Sequence, residues 1–95
     1  MKRALIVSVD PITGTSKKTG EPYTFCNVVA QPLTQSDKTI GPKFEFYTLF
    51  DEALADDLKT RLREAIKSGS ASVGAELYTH YNNGREQIDY INYPA

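Results

Sequence analysis

The sequence predicts one small, mainly β domain whose elements follow in the order β-β-β-α-β-β. Three observations carry this. Apolar and polar residues alternate in five separate runs, the period of a half-buried strand. Between residues 51 and 67 the period changes to that of a helix, with Leu54, Leu58, Leu62, Ala65 and Ile66 on one stripe. An Asn-Gly pair at 83–84 joins the last two runs, the strongest short signal for a hairpin. The 95 residues allow a single domain, 1–95. Five strands with one helix between the third and fourth is the layout of an OB-fold, a five-stranded, partly open barrel. The helix is expected to plug one end of it.

Each element has its own local cause. In "RALIVSVDP" (3–11), Leu5, Val7 and Val9 share a parity, and Pro11 is expected to end the strand. "ITGTSKKTGEP" (12–22) is loop chemistry, rich in Gly, Thr, Ser and Lys. Gly14 and Gly20 would let it bend as a flexible arm. "YTFCNVVAQP" (23–32) is the second strand. "KFEFYTLF" (43–50) alternates strictly, which places Phe44, Phe46 and Phe50 inside and Lys43, Glu45 and Tyr47 outside. Asp51 suits an N-cap, Glu52 the first turn, Lys67 the last turn and Gly69 the stop. Asp57 and Arg61 form an i,i+4 pair. In "ASVGAELYTHY" (71–81), Val73, Ala75 and Leu77 face one way, and "QIDYINY" (87–93) closes the set.

Bulk composition narrows the function. No apolar run reaches the roughly 20 residues that cross a bilayer. The start, "MKRALIVSVDP", is interrupted by Ser8 and Asp10 and reads as a strand, not a signal peptide, so a cytoplasmic protein is expected. The single cysteine, Cys26, cannot form an internal disulfide, and with the lone His80 it makes no metal set. Cys26 shares a parity with Val28 and Ala30 and reads as a small buried hydrophobe, not a nucleophile. No phosphate-cradling GxxxxGK[ST] loop and no carboxylate pair beside a nucleophile are present. No enzyme, catalytic residue, metal, cofactor or small-molecule substrate is therefore expected.

Net charge is −1, but unevenly spread. Residues 1–50 hold six Lys/Arg against four Asp/Glu, net +2, and residues 51–95 hold five against eight, net −3. Local clusters act at short range even when the total is neutral. Lys17 and Lys18 stand directly before a strand in which Cys26, Val28 and Ala30 suit the crowded interior. Tyr23, Phe25 and Asn27 must then point outward. Bases stack on exposed rings for ~1–3 kcal/mol each, while lysines follow the phosphates. Such a face takes single strands with little sequence preference and excludes duplex, whose bases already stack on one another. Lys43 and Tyr47, on the strand expected to pair with the second, could extend this face, and Arg85 adds a further phosphate contact. The candidate DNA-binding set is thus Lys17, Lys18, Tyr23, Phe25, Lys43, Tyr47 and Arg85.

The stretch "GTSKKTGEPYTF" (14–25) resembles the DNA-binding hairpin of the small, helix-destabilising single-stranded-DNA-binding proteins of filamentous bacteriophages. That pattern is a Ser/Thr-rich loop, a basic residue (Lys18), a glycine two positions on (Gly20), then Pro-Tyr and a hydroxyl residue (Pro22, Tyr23, Thr24). "YNNGRE" (81–86) looks like the hairpin joining the last two strands in some members. The resemblance implies a two-fold dimer that coats single-stranded DNA cooperatively in the host cytoplasm during phage DNA replication, without cofactor. It implies a phosphate contact for Lys18, a stacking contact for Tyr23 and an apolar one for Phe25. Asn83 and Gly84 would lie near the dimer axis or between neighbouring dimers. The chain departs from the pattern in its helix of about four turns, its slight acidity and Glu21, where some members carry lysine. A competing function is an OB-fold interaction subunit of a replication complex, in which the exposed aromatics anchor a protein partner.

Overall fold

The computed structural model describes residues 1–34 and 38–94. The predicted order holds: β1 (Lys2–Thr15), β2 (Pro22–Pro32), β3 (Glu45–Leu49), α1 (Glu52–Lys67), β4 (Val73–Asn82) and β5 (Arg85–Asn92). The strands form a closed barrel in the order β1-β2-β3-β5-β4. All neighbours are antiparallel except β3 and β5, which run parallel and meet at Thr48 and Gln87. That contact closes the barrel the sequence left partly open. Among the described residues, no helix is long and apolar enough to cross a membrane.

The core follows from the strand parities. Ile6, Val28, Leu49, Leu77 and, from the helix, Leu58 are fully buried. Cys26 and Ala30 line the same interior as small residues. β1 departs from the sequence reading in two ways. Ala4 and Ile6 point inward rather than the Leu5 parity, and a bulge between Ile6 and Ser8 then resets the alternation. Val9 packs on the core only because of that bulge. β1 also runs through Pro11 to Thr15. Pro11 pairs with Cys26, while β4 pairs β1 only over Lys2–Ile6. Pro11 therefore lies where one side of β1 is an open edge, and its missing N–H costs no ladder bond there. The expected loop is a two-stranded arm extending past the barrel, with only Ser16–Glu21 left as the turn.

β3 is the clearest correction. It starts at Glu45, and its register sets Tyr47 opposite Val28 and Leu49 opposite Cys26. Both partners face the core, so Tyr47 and Leu49 face it too. Tyr47 is 3% exposed and Phe46 is 73% exposed, the reverse of what the Phe/charged alternation suggests. Phe44 and Phe50 are exposed as well. A tyrosine is tolerated inside because its hydroxyl reaches the barrel mouth and donates to Glu45 Oε2 at 2.6 Å.

α1 is specified by its ends. The Asp51 carboxylate accepts the Leu54 N–H at 3.0 Å, and the Asp57–Arg61 pair forms at 2.9 Å. Beyond Lys67, Gly69 adopts φ +90°. Its N–H donates to the Ile66 carbonyl at 3.1 Å, and the Ser70 N–H to the Ala65 carbonyl at 2.8 Å, a Schellman stop. Ala55, Leu58 and Leu62 are buried against the barrel, whereas Ile66 lies outside the core, contrary to the expected stripe. The β4–β5 hairpin turns on Asn83 (φ 53°) and Gly84 (φ 76°), the left-handed pair of a type I′ turn.

Candidate nucleic-acid interface

The outer face of the β1–β2 arm carries the aromatics. Tyr23 lies opposite Gly14 and Phe25 opposite Ile12. A Cβ on Gly14 would fall 2.6 Å from Tyr23 Cζ, so the ring lies across the arm only because position 14 has no side chain. Tyr23 and Phe25 stack with centroids 5.8 Å apart at 19°. Phe50, just past the end of β3, meets Phe25 at 5.5 Å and 46°. Three rings thus form a row from the arm to the edge of the barrel. Tyr23 and Phe50 keep about half of their surface open to solvent.

Beside the row, a groove of about 440 Å³ crosses β2, β3 and β5. Ile12, Phe25, Asn27, Phe46, Thr48 and Arg85 line it, together with Gly84, Glu86 and the nearly buried Tyr47. Phe46 and Phe50 join this face because of the β3 register, and the sequence reading missed both. The only sequence signal was the parity of Tyr47 and Leu49 relative to Val28 and Cys26. Tyr47, a candidate stacking residue, is corrected: burial and its bond to Glu45 raise its hydroxyl pKa well above the ordinary tyrosine value, and its ring stays in the interior.

The cations are placed at the ends of this surface. Lys17 and Lys18 sit at the tip of the arm, where the Ser16 N–H donates to the Glu21 carbonyl and the Gly20 N–H to the Ser16 carbonyl, each at 2.8 Å. Gly20 takes φ +72° to close the turn. Arg85 opens β5 at the far side of the groove. Lys43 is exposed in the connection ahead of β3 and not on the strand itself. None of these four cations forms an ion pair among the described residues.

Other polar groups are engaged. At the mouth formed by the starts of β1, β3 and β5, Lys2 Nζ lies 2.9 Å from Glu86 and 3.7 Å from Glu45. The hydrogen bond to Glu86 raises the Lys2 pKa above its ordinary value despite partial burial. Burial alone would raise the Glu86 carboxyl, but donors from Thr79, Lys2 and Tyr81 outweigh it and hold the group below the usual carboxylate range. On the opposite side of the barrel Tyr78 and Tyr90 form an aromatic pair at 6.0 Å. There Arg3 pairs with Glu76 at 3.5 Å and His80 Nδ1 meets Asp89 at 2.8 Å. Cys26 is buried, and among the described residues no group of three His, Cys, Asp or Glu is placed to hold a metal. No family model, curated protein or solved structure matches this chain.

Proposed function

We propose that this chain is a sequence-nonspecific single-stranded-DNA-binding protein that coats and protects single strands during DNA replication, in the manner of the filamentous-phage proteins its arm resembles. The observation that carries this is the row Tyr23–Phe25–Phe50 with three cations at its ends, Lys17, Lys18 and Arg85, that form no ion pair among the described residues. Bases lie on the rings and the groove beside Phe46, and the cations take phosphates. Lys43 supplies a further phosphate contact from the neighbouring connection. On this reading the protein works in the cytoplasm (the host's, if viral), as a homodimer or a longer cooperative array on DNA, and uses no cofactor.

The test uses the absence of tryptophan, which leaves the six tyrosines unmasked in fluorescence. The chain is titrated with oligo(dT) at two salt concentrations, with duplex of equal length as control. Quenching by the single strand, weakened by salt and absent with duplex, is expected, because phosphate neutralisation releases counterions. Absence of quenching and of binding at low salt overturns the proposal. The aromatic row would then be a docking surface of an interaction subunit.

A further inference from the structure

The apolar stripe of α1 is one turn longer than the barrel beneath it. Leu58 and Leu62 are buried, but Ile66, on the same stripe, is 59% exposed. One exposed isoleucine is ordinary. Here, however, Ile66, Leu62, Val9 and Pro11 together line a pocket of about 200 Å³ between α1 and β1, with room for one bulky side chain. The rest of its lining is cationic: Lys59 and Arg63, one helical turn apart. Among the described residues, no carboxylate lines it. Arg63 has no ion-pair partner among the described residues, and Lys59 makes only a loose 3.9 Å contact with exposed Asp56.

We propose that this pocket docks an acidic, apolar segment of a partner protein. A bulky apolar side chain of the segment fills the space against Leu62 and Ile66, and carboxylates flanking it pair with Lys59 and Arg63. Charge complementarity fixes the choice of occupant. A second copy whose two-fold axis ran through the pocket would set Lys59 and Arg63 against their own like charges. A nucleic-acid base would find aliphatic walls and no ring to stack on. Pro11 pairs with Cys26, whose side chain is in the core, so the pocket lies on the inner side of the arm, and Lys59 stands between it and a second hollow lined by Phe25 and Phe50. Tyr23 lines neither hollow, and the test below reads the pocket at residues that the aromatic row does not include, so the proposal stands or falls separately from DNA binding.

The test is amide chemical-shift mapping on the full chain, titrated to millimolar concentration with a hexapeptide amide carrying Leu-Phe between pairs of glutamates. Shifts are expected at Val9, Leu62, Arg63 and Ile66. Affinity should fall about tenfold or more in Arg63→Glu, from like-charge repulsion, and also in Ile66→Ala. Both changes are at exposed positions, so unchanged amide shifts elsewhere will certify the fold. Four results would each overturn the proposal. They are no shifts at those residues, equal binding of the same peptide with lysines for glutamates, shifts of the same residues on dilution without peptide, or their response to oligo(dT) alone.

Discussion

Two outer faces of the barrel carry paired aromatic rings, and they differ in the charges beside them. On the arm face, Tyr23 and Phe25 stack at 5.8 Å, and Lys17, Lys18 and Arg85 have no carboxylate partner among the described residues. On the β4–β5 face, Tyr78 and Tyr90 lie 6.0 Å apart, but Arg3 is held by Glu76 and His80 by Asp89. Exposed rings are therefore not enough to single out one face. What separates them is the supply of uncommitted positive charge, which phosphate binding requires and an already formed ion pair cannot give without being broken.

The comparison breaks or stands first on the rings. Tyr23→Ala should weaken oligo(dT) binding by about 1–3 kcal/mol, the worth of one stacked base. Tyr90→Ala should leave the dissociation constant unchanged. Equal losses by fluorescence anisotropy would mean that both faces bind DNA. The cations come next. Lys17→Gln with Lys18→Gln should reduce the slope of log affinity against log salt by about 1.4, roughly 0.7 for each lost phosphate contact on a single strand. Arg3→Gln, which removes a paired cation from the other face, should leave the slope where it was.

Much of this contrast was legible in the sequence, and the part that was not has a physical cause. The element order, the Asp51 cap, the Asn83-Gly84 turn and the outward set of β2 are all local properties, fixed by residues next to one another. β3 was misread because its parity is not local. Lys43 and Glu45 alternating with Phe44 and Phe46 fits an apolar-inside pattern, but the strand starts only at Glu45 and takes its facing from β2. "KFEFYTLF" itself puts Glu45 and Tyr47 on one face, two residues apart, but nothing within it encodes that this face turns toward the core. β1 was misread for the same kind of reason: a bulge resets Val9, and Pro11 is acceptable only where β4 has ended. The local Asp57–Arg61 pair was readable from its spacing, but the pairing of Arg3 was not, since Arg3 and Glu76 meet only across the β1–β4 ladder.

Lys2 tests whether a paired cation serves stability instead of binding. Lys2→Met should not change oligo(dT) affinity, but should cost about 1 kcal/mol or less of stability at neutral pH, given the partial exposure of the ammonium. The Glu86 carboxyl is held low in the folded state, so its contribution is present above the unfolded value of about 4.3 and is lost as pH falls through the folded one. The gap between wild type and Lys2→Met in urea melts should thus close on acidification. A gap that widened in acid would contradict the assigned network. Smaller still, Gly14→Ala should push the Tyr23 ring off the arm and cost a few-fold in affinity, with little change in melting temperature. Position 14 has no left-handed backbone to lose. An affinity equal to wild type would mean that the seat on Gly14 does not position the ring.

The finest test converts one face toward the other. Glu76→Gln removes the carboxylate that occupies Arg3, Asp89→Asn removes a further negative charge from the same face, and both leave Tyr78 and Tyr90 in place. If free cations beside rings are what make a binding face, the double variant should gain weak, salt-sensitive affinity for oligo(dT), about twofold at low salt, through the β4–β5 face. The gain should persist in a Tyr23→Ala background, where the arm face is disabled, and should vanish when Tyr90→Ala is added. Glu76 also accepts from Asn92 at 2.6 Å, a bond that glutamine can keep through its carbonyl oxygen, so the hairpin should hold its register. No gain at any salt concentration would show that rings and free charge do not suffice. The groove between Phe46 and Arg85 would then be the decisive part of the arm-side surface.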